Sequence, residues 1–158
     1  YADFEMAGED GRAFALGEAS YIAAEIEDRK PLKIAEFLSA FEADPRCALG
    51  GFEGIFDVCG KIPSAPYPPV SRKVRADDID FNSHLTNVKY LPRAIEALPD
   101  EFIARRRLAG YAIKFRREAR LGETVESSAR ASGNCALHEL SVGGRPAASV
   151  ATLWEPRG

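Results

Sequence analysis

The sequence predicts an α+β chain in which an antiparallel sheet wraps one long helix. Two observations carry this. A strand-like segment, "SRKVRADDIDF", hands over to Leu85, Val88, Leu91, Ile95 and Leu98, which share a helical face. Strand candidates then follow one another, separated only by turn signals: "GYAIKFRREARL", "ETVESSARASG", "CALHELSV" and "AASVATLWEP".

The elements before these follow the same logic. Residues 3–26 read as a hairpin, "DFEM" turning at "GEDGR" into the long apolar run "AFALGEASYIAAEIED". Two strands are marginal alone, so this hairpin needs a larger sheet. From Pro31 the spacing of Ile34, Phe37, Leu38 and Phe41 predicts a helix that ends near Asp44. Residues 45–71 hold Pro45, Pro63, Pro66, Pro68, Pro69 and a glycine cluster, the composition of a linker, and a domain boundary is expected there. Within the long helix Pro92 removes the bond to the Val88 carbonyl and is expected to kink or split it. Tyr1 begins the sequence and the only methionine is Met6, inside an apparent strand, which reads as a fragment of a longer chain.

Composition narrows the function classes. At 46% hydrophobic and 28% charged residues the chain is globular rather than disordered, and no run approaches the roughly 20 apolar residues of a membrane span. The N-terminus lacks the layout of a signal peptide, so a cytoplasmic setting is expected. Cys47, Cys59 and Cys135 are an odd number without CxxC spacing, which suggests free thiols and neither a disulfide framework nor a zinc site. A net charge of −3 argues against nucleic-acid binding.

The segment "DDIDFNSHLTN" concentrates the chemistry. In an extended strand Asp78, Asp80, Asn82 and His84 would share one face and Ile79 and Phe81 the other. A carboxylate can orient or deprotonate water, while an amide and the N–H groups of a helix start can hold an oxyanion. Asp80, Asn82 and Ser83 are equally good helix caps, and a capping role alone would account for one of them. His138 stands three residues from Cys135, so on a strand the two point to opposite faces and cannot act as base and nucleophile. Between Glu101 and Arg120 the chain has a local surplus of five positive charges: Arg105, Arg106, Arg107, Lys114, Arg116, Arg117 and Arg120 against Glu101 and Glu118.

"DIDFNSHLTNVKYL" resembles the signature of the acyl-ACP thioesterases of plants and bacteria, Asp-Leu-Asp-x-Asn-x-His-Val-Asn-Asn-Val-Lys-Tyr. "IKFRREARLGETVES" is similar to that family's following Arg-Arg-Glu block, and "GEASYIAAEIEDRKPLKI" to the close of its first domain. The resemblance implies a tandem of hotdog folds that hydrolyses fatty acyl thioesters of acyl carrier protein (ACP) without a cofactor, ending fatty acid synthesis. Residues 72–158 would be a complete second hotdog and residues 1–44 the C-terminal part of a first, most of which is lacking. Asp80, Asn82 and His84 fall on the motif's functional residues, and Glu118 on the acidic residue of the later block. Many plant members carry cysteine directly after that glutamate; this chain has Ala119, which excludes a cysteine nucleophile at that place. Water attack is then expected, with Glu118 or Asp80 as base and an Asp80-acyl intermediate as the other option. The acidic carrier would dock on Arg105, Arg106, Arg107, Arg116 and Arg117, for which a solvated helix end and strand face is the alternative. Two other readings remain open: a single-hotdog acyl-CoA thioesterase working as a homodimer, and a binding module without catalysis.

Overall fold

The computed structural model describes residues 2–25, 27–28, 30–40 and 54–158. The chain divides into two compact units, Tyr1–Phe52 and Glu53–Gly158.

In the first unit β1 (Ala2–Ala7) and β2 (Ala13–Ala19) form the expected hairpin, Phe4 opposite Gly17 and Met6 opposite Ala15. Asp10 Oδ1 accepts the Arg12 N–H at 3.0 Å and Gly11 takes a φ of 74°, which closes the turn. β2 is shorter than the apolar run suggested, ending at Ala19. The expected helix does not begin at Pro31, because Pro31 pairs with Ala24 and the Leu32 N–H donates to the Ala23 carbonyl. α1 is therefore confined to Ala35–Leu38, and the expected continuation through residues 41–44 lies outside the described residues.

The second unit opens with α2 (Gly54–Cys59), inside the segment whose composition read as a linker. Four of the five prolines there come after Cys59, which leaves "GIFDVC" free to coil, and Gly60 ends the helix at φ 52° with its N–H on the Phe56 carbonyl. The sheet comprises β3 (Val70–Lys73), β4 (Arg106–Phe115), β5 (Thr124–Ser132), β6 (Cys135–Val142) and β7 (Arg145–Pro156). Its order is β3-β5-β6-β7-β4, every pair antiparallel. Gly143 and Gly144, both at positive φ, make the tight β6–β7 turn.

The long helix is broken. A 3₁₀ turn at Asn87–Lys89 precedes α3 (Tyr90–Ile95), and α4 (Asp100–Ala104) follows Pro99. Pro92 is the third residue of α3, where a backbone N–H has no partner within the helix, so the α-helix starts late enough to accommodate it. Of the expected stripe Leu85 and Leu98 are buried and Leu91 and Ile95 partly buried against the core, while Val88 is exposed; the shift in phase adds Tyr90, Arg93, Ala94 and Ala97 to the buried face. α3 packs on β5, β6 and β7, and α2 on β4, β6 and β7. A Cβ on Gly110 would meet Ile55 of α2 at 3.2 Å, whereas the ring of His138 meets the Ala94 carbonyl of α3. Register and alternation place those two contacts on opposite faces of the sheet, which is why β7 is buried continuously from Ala147 to Thr152.

Fully buried alanines at 94, 119, 147 and 148 let α3 lie close, and Leu140, Val125 and Val150 fill the space between. Each of these larger side chains contributes roughly 1.5–3 kcal/mol by leaving water. No helix among the described residues is long and apolar enough to cross a membrane.

Candidate active site

The segment expected as a strand is a tight loop. After a 3₁₀ turn at Ala76–Asp78, Ile79 pairs with Leu85 and the chain reverses between them. The Asp80 N–H donates to the His84 carbonyl at 2.9 Å and the Ser83 N–H to the Asp80 carbonyl at 3.0 Å. Asp80 Oδ1 accepts the N–H groups of Asn82 (2.9 Å) and His84 (3.3 Å), an Asx turn that rivals any strand pairing. Ser83 takes a φ of 63°, the one positive value among described residues other than glycine. Asp78, Asp80, Asn82 and His84 therefore do not form a row. Asp80 shapes the loop, Asn82 and Phe81 sit exposed near its tip, and His84 is buried.

Asp78 faces the other way. Its Oδ2 accepts Arg93 at 2.6 Å and the Arg75 N–H at 3.0 Å, and Lys89 Nζ stands 3.4 Å from Oδ1. Arg93 also donates to the carbonyls of Arg72 and Lys73, so one buried guanidinium ties the loop and β3 to α3. Burial pushes the Asp78 carboxyl up, but the Arg75 N–H, Arg93 and Lys89 outweigh it and hold the group below its ordinary value. Sequence reasoning passed over Arg93, whose available signal was its place three residues beyond Tyr90 and four beyond Lys89, on one helical face.

Glu118 is brought to His84 by the backbone. The N–H groups of Arg116 and Arg117 both donate to the Ala147 carbonyl, the Leu85 N–H donates to the Ala119 carbonyl at 2.7 Å, and His84 pairs with Arg120. These contacts set the imidazole Nε2 2.8 Å from Glu118 Oε2, with His84 at 10% side-chain exposure and Glu118 at 47%. The pair thus has a sheltered imidazole and a carboxylate that solvent can reach. Such a carboxylate can orient and deprotonate water, while the imidazole fixes its direction. Among the described residues no three His, Cys, Asp or Glu side chains gather as a metal site requires.

The arginines do not form a single rim. β4 begins at Arg106, earlier than expected, so Arg106 and Arg107 start the strand while Arg116 and Arg117 follow its end. Nine residue steps along β4 separate Arg107 from Arg116, about 30 Å at roughly 3.3 Å per step. Arg106 lies over the Phe102 ring and Arg107 pairs with Glu155; only Arg116 and Arg117 adjoin Glu118. His138 is buried and structural. Its Nδ1–H donates to the Ala94 carbonyl at 2.8 Å, Nε2 meets the Thr152 hydroxyl at 2.9 Å, and burial lowers its pKa from 6.5 to about 4.

Comparison with known proteins agrees with this architecture. Residues 69–156 match the family model of the acyl-ACP thioesterase C-terminal domain. A dodecanoyl-[acyl-carrier-protein] hydrolase of Cinnamomum camphora is 28% identical over 90 residues, 52% of this chain and 24% of that protein. Two solved structures superpose on it: an acyl-ACP thioesterase of Bacteroides thetaiotaomicron (TM-score 0.71, 16% identity, 97% of this chain and 61% of that one) and the 12:0-ACP thioesterase of Umbellularia californica (TM-score 0.67, 20% identity, 85% and 52%). The fold is accordingly a hotdog. The stretch matched in Cinnamomum spans about a quarter of that relative's length. With the family model covering more than half of its residues, the chain belongs to the acyl-ACP thioesterase family.

Proposed function

We propose that the chain hydrolyses fatty acyl thioesters of ACP to free fatty acid and carrier thiol, with His84 and Glu118 as the working pair. The 2.8 Å contact between them carries the reading. Water held by Glu118 gives its proton to the carboxylate as its oxygen bonds the thioester carbonyl carbon; the carbon–sulfur bond then breaks and the proton passes to the departing thiolate. Asn82, near the loop tip, would offer its amide N–H to the carbonyl oxygen, while the His84 Nε2–H keeps Glu118 in place. Asp80 is placed less well as base or nucleophile, because its Oδ1 already accepts two N–H groups. In heavy-oxygen water, label entering the Asp80 side chain would replace direct water attack by an acyl-enzyme route.

The acidic carrier is proposed to dock on Arg116 and Arg117, beside Glu118, rather than on Arg105, Arg106 and Arg107 at the far end of β4. Reversing the first pair should raise KM and flatten its salt dependence, and reversing the other three should not. Residues 1–44 are proposed as the end of a first hotdog, a reading supported by a likeness to the Bacteroides structure that runs over 97% of the chain. A cytoplasmic setting is proposed, supported by the free thiols of Cys59 and Cys135.

The test is fatty acid release from a panel of acyl-ACPs, read by mass spectrometry, for the chain and for Glu118→Gln and His84→Ala. Each substitution should lower the rate by about 100-fold or more. An unchanged rate in Glu118→Gln, or no release by the unsubstituted protein, would overturn the proposal, and equal turnover of acyl-CoA would change its substrate.

A further inference from the structure

We propose that Tyr90 is a positioning residue for Glu118, holding the peptide group before it so that the carboxylate meets His84; the inference rests on the catalytic reading of that pair. Tyr90 opens α3 and is 2% exposed. Its ring stands edge-on to Phe115, the last residue of β4, with centroids 5.1 Å apart and an interplanar angle of 86°. The hydroxyl is thereby aimed at the segment that leaves the strand. It lies 3.4 Å from the Arg117 carbonyl, to which it donates. The hydroxyl therefore engages the peptide group that enters residue 118.

Burial pushes the phenol's pKa up, against the Ala119 N–H and with the Glu118 charge adding to it, so the hydroxyl remains a donor at neutral pH. The other contacts of this segment hold its ends: the N–H groups of Arg116 and Arg117 on Ala147, and the Ala119 carbonyl on Leu85. Removing the hydroxyl would leave those in place and release the 117–118 peptide plane, which sets the direction of the Glu118 side chain. A displacement of about 1 Å in a catalytic group can cost about 100-fold in rate.

Tyr90→Phe in the whole chain tests this, since the ring and its contact with Phe115 are retained. The expected result is a fall in kcat of about 10- to 100-fold with KM within about 2-fold, little change in the urea midpoint, and no further loss when the substitution is added to Glu118→Gln. An unaltered kcat, or a full additional loss in the Glu118→Gln background, would overturn it. Nitrogen NMR of the imidazoles gives a readout that needs no turnover, because His84 and His138 are the only histidines. Tyr90→Phe should move the His84 Nε2 signal as Glu118→Gln does and leave His138 unmoved; a His84 signal identical to that of the unsubstituted protein would sink the inference whether or not the chain hydrolyses acyl-ACP. Failure of the catalytic reading alone would appear as a protein without fatty acid release in which the His84 signal still responds to Tyr90→Phe.

Discussion

Acidification should weaken the second unit through His138, by an amount its surroundings set. The ring is 1% exposed. A carbonyl can only accept, so the contact with Ala94 places the proton on Nδ1, and Nε2 takes the Thr152 hydroxyl while Trp154 Nε1–H donates to that same hydroxyl at 2.8 Å. Protonating Nε2 would turn the hydroxyl toward the Ala136 carbonyl 3.5 Å away, so the main cost is the buried charge itself. The folded pKa, about 4, lies below the ordinary 6.5, so the unfolded chain binds the proton first. The contribution is whole above pH 6.5 and is lost as pH falls from there to about 4. At about 1.4 kcal/mol per unit it amounts to about 3 kcal/mol. Urea unfolding followed by Trp154, the only tryptophan and a member of the network, would measure it at steps from pH 7 to pH 4 in the unsubstituted protein and in His138→Gln. Subtracting the two removes the carboxylates common to both. The difference in unfolding free energy should shrink by about 3 kcal/mol; a difference that stays constant across that range would refute the reasoning.

Other perturbations have outcomes the geometry sets. Arg93→Met leaves Asp78 buried with only Lys89 and the Arg75 N–H, and should cost about 3–5 kcal/mol in urea unfolding, part of which returns when Asp78→Asn is added. Because the folded pKa of Asp78 is depressed, its share of stability is present above the unfolded value and lost as pH falls through the folded one; Asp78→Asn should flatten that acid slope. Asp80→Asn keeps an acceptor oxygen for the Asn82 and His84 N–H groups, whereas Asp80→Ala removes it, so thermal unfolding should separate the two by about 1 kcal/mol. Ser83→Gly should stabilise by up to about 1 kcal/mol, since only there does a side chain other than glycine's occupy the left-handed region among described residues.

The sheet was legible because its signals are local. "CALHELSV" is β6 residue for residue, and the glycines at 133, 143 and 144 mark the turns at its ends. Where reading failed, two local signals competed. Polar residues at alternate positions from Asp78 to His84 suit one face of a strand, but Asp, Asn and Ser also make turns, and the pairing of Ile79 with Leu85 decided for the turn. The stripe from Leu85 to Leu98 has helical spacing and packs on the core apart from Val88, but the 3₁₀ turn before α3 shifts the phase so that Tyr90 and Arg93 are buried as well. α2 was hidden because proline was counted over a window wider than the helix. The site was legible only as a motif: His84 and Glu118 are far apart in sequence, and what joins them is the non-local pairing of Leu85 with Ala119 and His84 with Arg120.

Ala119 then bears on how hydrolysis would proceed. It is wholly buried in the cluster with Val74, Leu85 and Tyr90, while Glu118, one residue earlier, is about half exposed. Successive side chains diverge, so the backbone that shows Glu118 to solvent turns position 119 into the core. A thiol there would sit among apolar neighbours, where burial raises its pKa and suppresses the thiolate. Cys59 shows the effect within this chain: burial and a hydrogen bond with Cys135 push its thiol up to about 12. On the proposed reading the reactive oxygen would come from solvent, which reaches the pair through Glu118, while Tyr90, Leu85 and Ala147 hold that carboxylate's segment in place.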